Sequence, residues 1–426
     1  MTLKRYDIPW NVVVVAALGY FVDLFDTFLV PAFRVATLKD LGVASVDSLR
    51  VYTNLFNLQL AGMFLAAILL WGPFGDSRGR RKILFGSIML YGAANFLTAF
   101  VVNVPQFAII RFVAGIGLGG ELGAGVTLVA ESISQEHRGI GTAIIGFVGM
   151  LGVVAAATLA MVGVNWRVAY IVGGVLAFAI LGLRLSVRES QLFAKNSAAV
   201  RSYWRILMFL ARPRNLLKLF ACVLVGAPTF FVTGLLVPGA PEFGAAFGMK
   251  ILPSPATGLI WTYLSISIGD IFCGMLSQVV RSRKTALLVF HAITVIGIGA
   301  FLFQPPTTPD GFYVRCVVAG FGIGFWANMV TNAAEQFGTN VRATVTITVP
   351  TCVRLLLFPI SAAFLSLRPL LGIIPAAAIV GFSASALAIV SLLWLKDGFS
   401  RDLDFNERLT PKEPGVAAGA QAVAQI

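Results

Sequence analysis

The chain has 426 residues, of which 58% are hydrophobic and 12% are charged, whereas soluble globular domains carry roughly 25% charged residues. So few charges cannot cover a water-facing surface, which excludes a soluble enzyme. The formal net charge of +13 has to be explained within a membrane protein. The cysteines lie inside hydrophobic runs without metal-ligand spacing, which predicts packing residues and no metal site or cofactor: Cys222, Cys273, Cys316 and Cys352.

The apolar residues form twelve runs along the chain. Each run has roughly 18–25 residues and is long enough, at ~1.5 Å per residue, to cross a ~30 Å hydrocarbon core. They predict an all-α membrane protein with twelve transmembrane helices in two pseudo-symmetric six-helix bundles. The predicted parts are a first half over 1–184, a basic cytoplasmic linker over 185–215, a second half over 216–395 and a disordered tail over 396–426. The predicted spans are 11–35, 51–71, 83–102, 105–129, 139–163, 167–184, 216–238, 256–279, 285–303, 312–334, 343–366 and 370–395.

Basic residues concentrate in alternate loops of this helix pattern. The loop at 78–82 and the linker at 184–218 are rich in arginine and lysine, whereas the opposite side keeps scattered charges such as Arg34 and Arg50. Because cytoplasmic loops carry the excess of Lys and Arg, both termini are predicted to be cytoplasmic in a multi-pass cell inner membrane protein. The excess positive charge is therefore explained by the orientation of the protein in the lipid bilayer, and it does not indicate a nucleic-acid partner. The chain is predicted to be a monomer that binds a small-molecule substrate.

Three motifs recur in the two halves at an offset of a little over 200 residues. The loop from Gly72 to Lys82 is echoed by Gly274 to Lys284, and the glycine run 114–119 is echoed by 319–324. Val30-Pro31 at the predicted end of helix 1 is echoed by Val237-Pro238 at the predicted end of helix 7. A fixed-offset repeat of this kind is typical of transporters that bind their substrate between two repeats.

These motifs resemble the major facilitator transporters. The loop 72–82 is similar to the loop that this superfamily places between helices 2 and 3, and 111–119, Glu131 and Arg138 are similar to helix 4 of its sugar-porter-like branch. The run 119–125 is more similar to the metabolite:proton symporters, and helix 7 lacks the glutamine pair with which sugar porters hold hydroxyls. The resemblance implies alternating access by two rocking halves and proton-coupled symport, and it disfavours a hexose.

Ionisable side chains at bilayer depth are functional candidates because they are costly to bury. Asp23 and Asp26 share one face of helix 1, and counting residues places Arg111 of helix 4 at a depth comparable to Asp26, in the outer half. In the branch resembled, an acid at the position of Asp26 takes the driving proton and an arginine at the position of Arg111 pairs with it. The alternative is a static ion pair. Glu121, deeper in helix 4, is a further proton or substrate candidate, with a satisfied buried acid as its alternative.

Arg354, near the middle of helix 11, is predicted to bind an organic anion because a guanidinium matches a carboxylate. Its alternative is an internal partner such as Asp270 of helix 8. His291 of helix 9 is predicted to be a packing residue. The polar and aromatic residues expected to complete a mid-membrane substrate pocket are Asn54, Asn57, Gln59, Trp326, Asn328 and Asp270.

A second group of charges lies at the predicted cytoplasmic ends of the helices. In the superfamily such residues bridge the two halves when the inner gate is shut, which stabilises one conformer over another. They are predicted to form a cytoplasmic gate and not a binding site: Asp76, Arg80, Glu131, Arg138, Glu335 and Arg342.

The sequence therefore predicts a secondary active transporter that takes up a small metabolite, an organic anion or carboxylate, by proton-coupled symport. One alternative is a proton-driven exporter of drugs, cations or metabolites, since Asp23, Asp26 and Glu121 could favour cations. A second is a signalling or scaffold protein that kept the fold without transport. The chain has no nucleotide-binding loop, catalytic triad or metal-ligand cluster in its sequence, which disfavours an enzyme.

Overall fold

The computed structural model describes residues 10–71, 80–120, 138–184, 199–399 and 407, and these residues form helices and loops without a strand. The long helical segments among them are numbered helix 1 to helix 12. Their bounds are Trp10–Asp40, Ser48–Ala66 with Ala67–Trp71, Arg80–Thr98, Val104–Leu118, Arg138–Met161, Trp166–Arg184, Pro213–Leu224 with Ala227–Phe231 and Val232–Leu236, Pro255–Val279, Arg283–Phe303, Pro309–Gly322 with Trp326–Glu335, Thr339–Leu355 with Leu357–Leu371, and Ile373–Trp394.

Within the described ranges, nine helices are long and apolar enough to cross a membrane, and ten are when the two parts of helix 7 count as one span. Helices 3 and 4 bring the number to the predicted twelve. Helix 3 follows the range 72–79 and helix 4 precedes the range 121–137, both outside the described residues. A short helix, Ala199–Leu210, occupies part of the predicted linker, so that segment is not simply a loop.

Helix 1 is longer than its sequence predicts. The helix continues through Pro31 to Asp40, whereas the predicted span ended at residue 35. Proline is tolerated inside membrane helices because neighbouring groups satisfy the carbonyl that loses its hydrogen bond. Arg34, predicted to be an external charge, is buried and pairs with Glu242 of the short helix Ala240–Ala246 in the second half. The ion pair balances the charge of Arg34 where solvent is excluded.

Several helices begin with side chains that satisfy free main-chain amides. Asn103 accepts a hydrogen bond from the Gln106 amide at the start of helix 4, and Ser282 accepts one from the Thr285 amide at helix 9. Thr308 does the same for Gly311 at helix 10. Amides at a helix start have no partner within the helix, so these caps fix where each helix begins.

The repeated glycine runs make equivalent helix contacts in the two halves. A Cβ on Gly115 would meet the main chain of Gln59 in helix 2, and one on Gly320 would meet the main chain of Thr262 in helix 8. One on Gly117 would meet helix 3, and its counterpart Gly322 would meet helix 9. Small residues let membrane helices approach closely where lipid gives no hydrophobic drive for association. The repeat in the sequence is therefore a repeat of helix packing.

The two halves meet along a few helices. Helix 2 contacts helix 11, helix 5 contacts helix 8, and helix 1 contacts helix 8. We call the surface where helices 1, 2 and 5 face helices 8 and 11 the central interface. Helix 7 is bent by 46° between Leu224 and Ala227, and helix 10 is broken between Gly322 and Trp326. Such breaks free main-chain groups at membrane depth, where they can serve a site.

Candidate functional site

The middle of helix 1 carries two carboxylates. The helix has 31 residues, so Phe25 is its central residue, and Asp23 and Asp26 lie on either side of it. Both side chains are fully buried, with 0% exposure. Both carboxylates therefore lie near the middle of a membrane helix. A carboxylate at that depth needs a cation or a proton.

Asp26 faces Arg111 inside the first half. Arg111 Nη1 is 3.4 Å from Asp26 Oδ1, and both side chains are inaccessible. Arg111 Nη2 donates to Asn95 Oδ1 at 2.9 Å and to Thr98 Oγ1 at 2.5 Å, and the guanidinium lies 4.6 Å from the centre of the Tyr170 ring. The pair expected from the resemblance is thus present, and several groups of the first half hold Arg111 in place.

Asp23 faces Arg354, which belongs to the other half. Arg354 Nη2 is 3.7 Å from Asp23 Oδ2, and its Nη1 is 3.9 Å from Met63 Sδ of helix 2. Tyr20 of helix 1 also interacts with the guanidinium. Arg354 therefore projects from helix 11 across the central interface into the first half, at the depth where a substrate site was predicted.

Asp270 does not supply the partner that the alternative for Arg354 invoked. Its Oδ1 accepts a hydrogen bond of 3.0 Å from the main-chain amide of Ala327. That amide is at the start of the second piece of helix 10, so Asp270 stabilises the break beside the half-buried Trp326. Asp270 is also close enough to interact with Tyr20 of the first half. Both residues therefore remain candidates at the central interface.

One face of helix 2 lies against the second half. Tyr52, Gln59 and Met63 share this face by helical spacing; Tyr52 Oη donates to Gly234 O at 2.9 Å, and Met63 contacts Arg354. Gln59 is fully buried between them, and its two amide atoms are buried without a hydrogen-bond partner among the described groups. A buried side-chain amide whose polar atoms lack a protein partner is available to hydrogen-bond a ligand. Asn57 has a partner, since its Nδ2 donates to Ser361 Oγ of helix 11 at 2.8 Å.

Two predicted pocket residues are placed differently from Gln59. Asn54 is exposed near the start of helix 2, on a different side of the helix from Gln59. Asn328 is buried inside the second half, where its amide is 3.5 Å from both Cys273 Sγ and the Arg283 carbonyl oxygen. Spacing along a helix identified their faces but not what those faces contact. His291 packs edge-on against Phe325 at 4.6 Å between ring centres, as a packing residue would.

The predicted gate residues are described only in part. Asp76, Glu131 and the coupling candidate Glu121 lie outside the described residues, as do the side chains of Arg80 and Arg138. Glu335 pairs with Arg283 at 3.5 Å, and Arg342 Nε donates to Ala334 O at 3.3 Å. These described contacts stay within the second half.

At the end of the protein where Arg34 lies, the described contacts between the two halves involve residues other than the predicted gate residues. Arg34 pairs with Glu242, Tyr52 bonds to the Gly234 carbonyl, and Asn57 bonds to Ser361. We call these contacts the Arg34 gate. The sequence analysis missed Arg34, Glu242 and Tyr52, because nothing in a single sequence tells which loop charge will be buried by the opposite half. Charged residues close to predicted span ends are the available signal.

The architecture defines a membrane transporter: twelve helices in two related halves, with paired charges buried where the halves meet. The model of the Major Facilitator Superfamily matches residues 16–361, well over half of the chain. The chain therefore belongs to the Major Facilitator Superfamily. This confirms the resemblance found in the sequence motifs and the twelve-helix fold, and it confirms that the protein is a transporter and not an enzyme.

Relatives and solved structures agree with this assignment. A niacin transporter of Acinetobacter baylyi is 22% identical over 379 residues, which cover 80% of this chain and 82% of the relative. A 3-(3-hydroxy-phenyl)propionate transporter of Escherichia coli is 25% identical over 331 residues, covering 74% and 79%. The crystal structure of a D-xylose-proton symporter superposes with a TM-score of 0.70 at 17% identity, covering 91% of this chain and 97% of that one.

Proposed function

We propose that this protein imports an organic carboxylate together with a proton across the cell inner membrane, by alternating access of its two halves. The observation that carries this proposal is Arg354, a cation buried at the central interface with 4% exposure. A guanidinium can bind a carboxylate through two parallel hydrogen bonds, and a buried arginine is costly to keep without a role. We therefore assign to Arg354 the binding of the substrate's anionic group.

Aromatic side chains near Arg354 favour a substrate with a flat ring. Tyr20 interacts with the guanidinium, and Tyr263 of helix 8 interacts with both Tyr20 and Arg354. The Tyr263 ring meets that of Phe28 in helix 1 edge-to-face at 4.9 Å. The niacin and hydroxyphenylpropionate named for two relatives each combine an aromatic ring with a carboxylate. An aromatic carboxylate is therefore the substrate class that we assign to this chain.

The polar groups around this position are assigned to the rest of the substrate. Gln59 offers an unpaired amide that can donate to or accept from a ring substituent. Asp270 and Trp326 lie at the break of helix 10, and we assign them to the same substrate site. Asn57 is occupied by Ser361 and is assigned to the Arg34 gate instead.

We assign proton coupling to the acids of helix 1. Asp26 and Arg111 form a buried pair within the first half. If a helix rearrangement within the first half moves the arginine away, the carboxylate is left buried without a cation, and taking up a proton removes that cost. Protonation and rearrangement are then linked. Glu121 remains a predicted participant. The coupling ion is the proton and no cofactor is invoked.

The charge distribution supports an orientation with both termini cytoplasmic, since the loops and linker on that side carry most of the arginine and lysine. In this orientation the Arg34 gate faces outward, and its contacts hold that end closed. Residues 1–184 and 216–395 then form the two rocking units of a monomer. The cytoplasmic gate of Asp76, Arg80, Glu131 and Arg138 with Glu335 and Arg342 is proposed to close the other end in the opposite conformer.

Export of cations is the main rival. It would require unpaired acids at the central interface, but Asp23 and Asp26 each face an arginine. A ligand screen on purified protein tests the choice, because a ligand that binds only the folded state raises the melting temperature. We expect stabilisation by benzoate, nicotinate or 3-phenylpropionate and none by sugars or cationic drugs. Stabilisation by cationic drugs alone would support the exporter, and the absence of counterflow for every ligand would support a scaffold.

A further inference from the structure

The two arginines that face the acids of helix 1 are held very differently. Arg111 donates to Asn95 and Thr98 at 2.9 and 2.5 Å, besides its contact with Asp26. Arg354 has Tyr20 beside its guanidinium, Asp23 at 3.7 Å and the Met63 sulfur, a weak acceptor, at 3.9 Å. Charge-assisted hydrogen bonds of a guanidinium are normally about 2.7–2.9 Å long. Arg111 is thus fixed by short bonds, whereas Arg354 is neutralised by Asp23 without being tightly bonded to it.

We propose that Asp23 is a built-in competitor for the substrate: it neutralises Arg354 in the empty protein, and the substrate's carboxylate displaces it as Asp23 takes up a proton. This inference rests on the proposed carboxylate transport and deepens it. It separates the two acids of helix 1. Asp23 couples proton uptake to binding at Arg354, whereas Asp26 couples protonation to rearrangement through Arg111.

Charge balance is the physical reason for the exchange. The contact between Arg354 and Asp23 buries one positive and one negative charge. Binding a monocarboxylate anion to Arg354 with Asp23 still ionised would leave one excess negative charge at bilayer depth, which is expensive. One proton on Asp23 restores neutrality, because the anion then pairs with Arg354 and Asp23 is a neutral acid. Anion and proton therefore enter the site together.

The other groups near Asp23 define the controls. On helix 1 these are Tyr20 and the paired Asp26, and helix 8 contributes Tyr263 and Asp270. The described part of helix 5 from Ile144 onward, which packs against helix 1, carries no ionisable side chain. Asp270 is therefore the neighbouring acid of the second half that could take the proton in place of Asp23, and it can be tested by the same change of Asp to Asn.

The experiment measures proton uptake on binding. Titration calorimetry of the detergent-purified full chain with benzoate, nicotinate and 3-phenylpropionate, in buffers of different ionisation enthalpy, gives protons taken up per anion bound. We expect about one proton for the wild type where Asp23 is ionised. Asp23→Asn should take up none and should bind about tenfold more tightly, because its Arg354 is always available. Asp47→Asn, at the exposed acid that pairs with Arg50, should keep the wild-type proton uptake.

Each outcome decides between the two proposals. If none of the three acids binds folded wild type, the proposed substrate class fails and the competition fails with it. If they bind but Asp23→Asn keeps wild-type proton uptake, or binds more weakly, carboxylate transport stands and the competition is overturned. If Asp270→Asn loses the proton uptake and Asp23→Asn does not, the competition is also overturned. Asp23→Ser serves as a second variant if Asp23→Asn does not purify as a monodisperse species.

Discussion

Asp23 and Asp26 are three residues apart on helix 1, yet they face arginines in different halves of the protein. Asp26 is 3.4 Å from Arg111 of helix 4, inside the first half, and Asp23 is 3.7 Å from Arg354 of helix 11, in the second. One acid is therefore tied to the interior of a half and the other to the central interface. Rocking of the halves changes the second contact directly and the first only through helix rearrangement.

Replacing Asp26 should separate driven transport from exchange. We expect Asp26→Asn to abolish uphill accumulation driven by a pH gradient while substrate counterflow survives, because exchange need not pass through the empty, deprotonating protein. Proteoliposome uptake with and without a pH gradient measures both. Asp47→Asn is the matched control, since Asp47 pairs with Arg50 on an exposed surface. Wild-type accumulation by Asp26→Asn would remove Asp26 from the proton path.

Arg354 should be sensitive to the shape of the cation as well as to its charge. Arg354→Lys keeps the charge but not the two parallel donors, so the dissociation constant of the carboxylate should rise. Arg354→Ala removes both the charge and the donors, so the binding free energy of the carboxylate should weaken by about 2–4 kcal/mol in total if the anion stays buried and unpaired. Arg315→Lys is the control, because Arg315 donates to the Gly311 carbonyl near the start of helix 10. Wild-type binding by both Arg354 variants would make Arg354 structural.

The Arg34 gate should open when its ion pair is broken. Glu242→Gln leaves Arg34 buried without its partner, which typically costs about 3–5 kcal/mol and destabilises the closed conformer. We expect faster labelling of Ser361→Cys, a buried position that contacts Asn57 across the halves, by a membrane-impermeant maleimide. Asp310→Asn, at an exposed acid of helix 10, should leave the rate unchanged. Equal rates in both variants would argue against a gate.

The orientation is testable with two cysteine reporters in a background without the native cysteines. Ala198 belongs to the linker and lies outside the described residues, whereas Ala245 is exposed in the short helix Ala240–Ala246. We expect impermeant reagents to label Ala245→Cys in intact cells and Ala198→Cys only after the membrane is opened. Labelling of both from one side would contradict the twelve-helix topology.

The candidate site was predictable in its charges and only partly in its contacts. Asp23, Asp26, Arg111 and Arg354 were found because an ionisable residue within an apolar run is conspicuous in the sequence. Depth counting brought Asp26 and Arg111 together, but Asp270, the example of an internal partner for Arg354, bonds to the Ala327 amide, and Asp23 faces Arg354 instead. The face of Asn328 points into its own half, which helical spacing does not reveal.

The sequence by itself determined the twelve membrane helices, the two related halves and the buried charges, because hydrophobic length, internal repetition and the cost of burying charge are local properties of the chain. The tertiary structure decided which charges meet. Whether Asp23 faces Arg354 and Arg34 faces Glu242 depends on how two six-helix halves dock. Those partners are 331 and 208 residues apart in the chain, so no local pattern encodes the contact, and only the packed interface selects it.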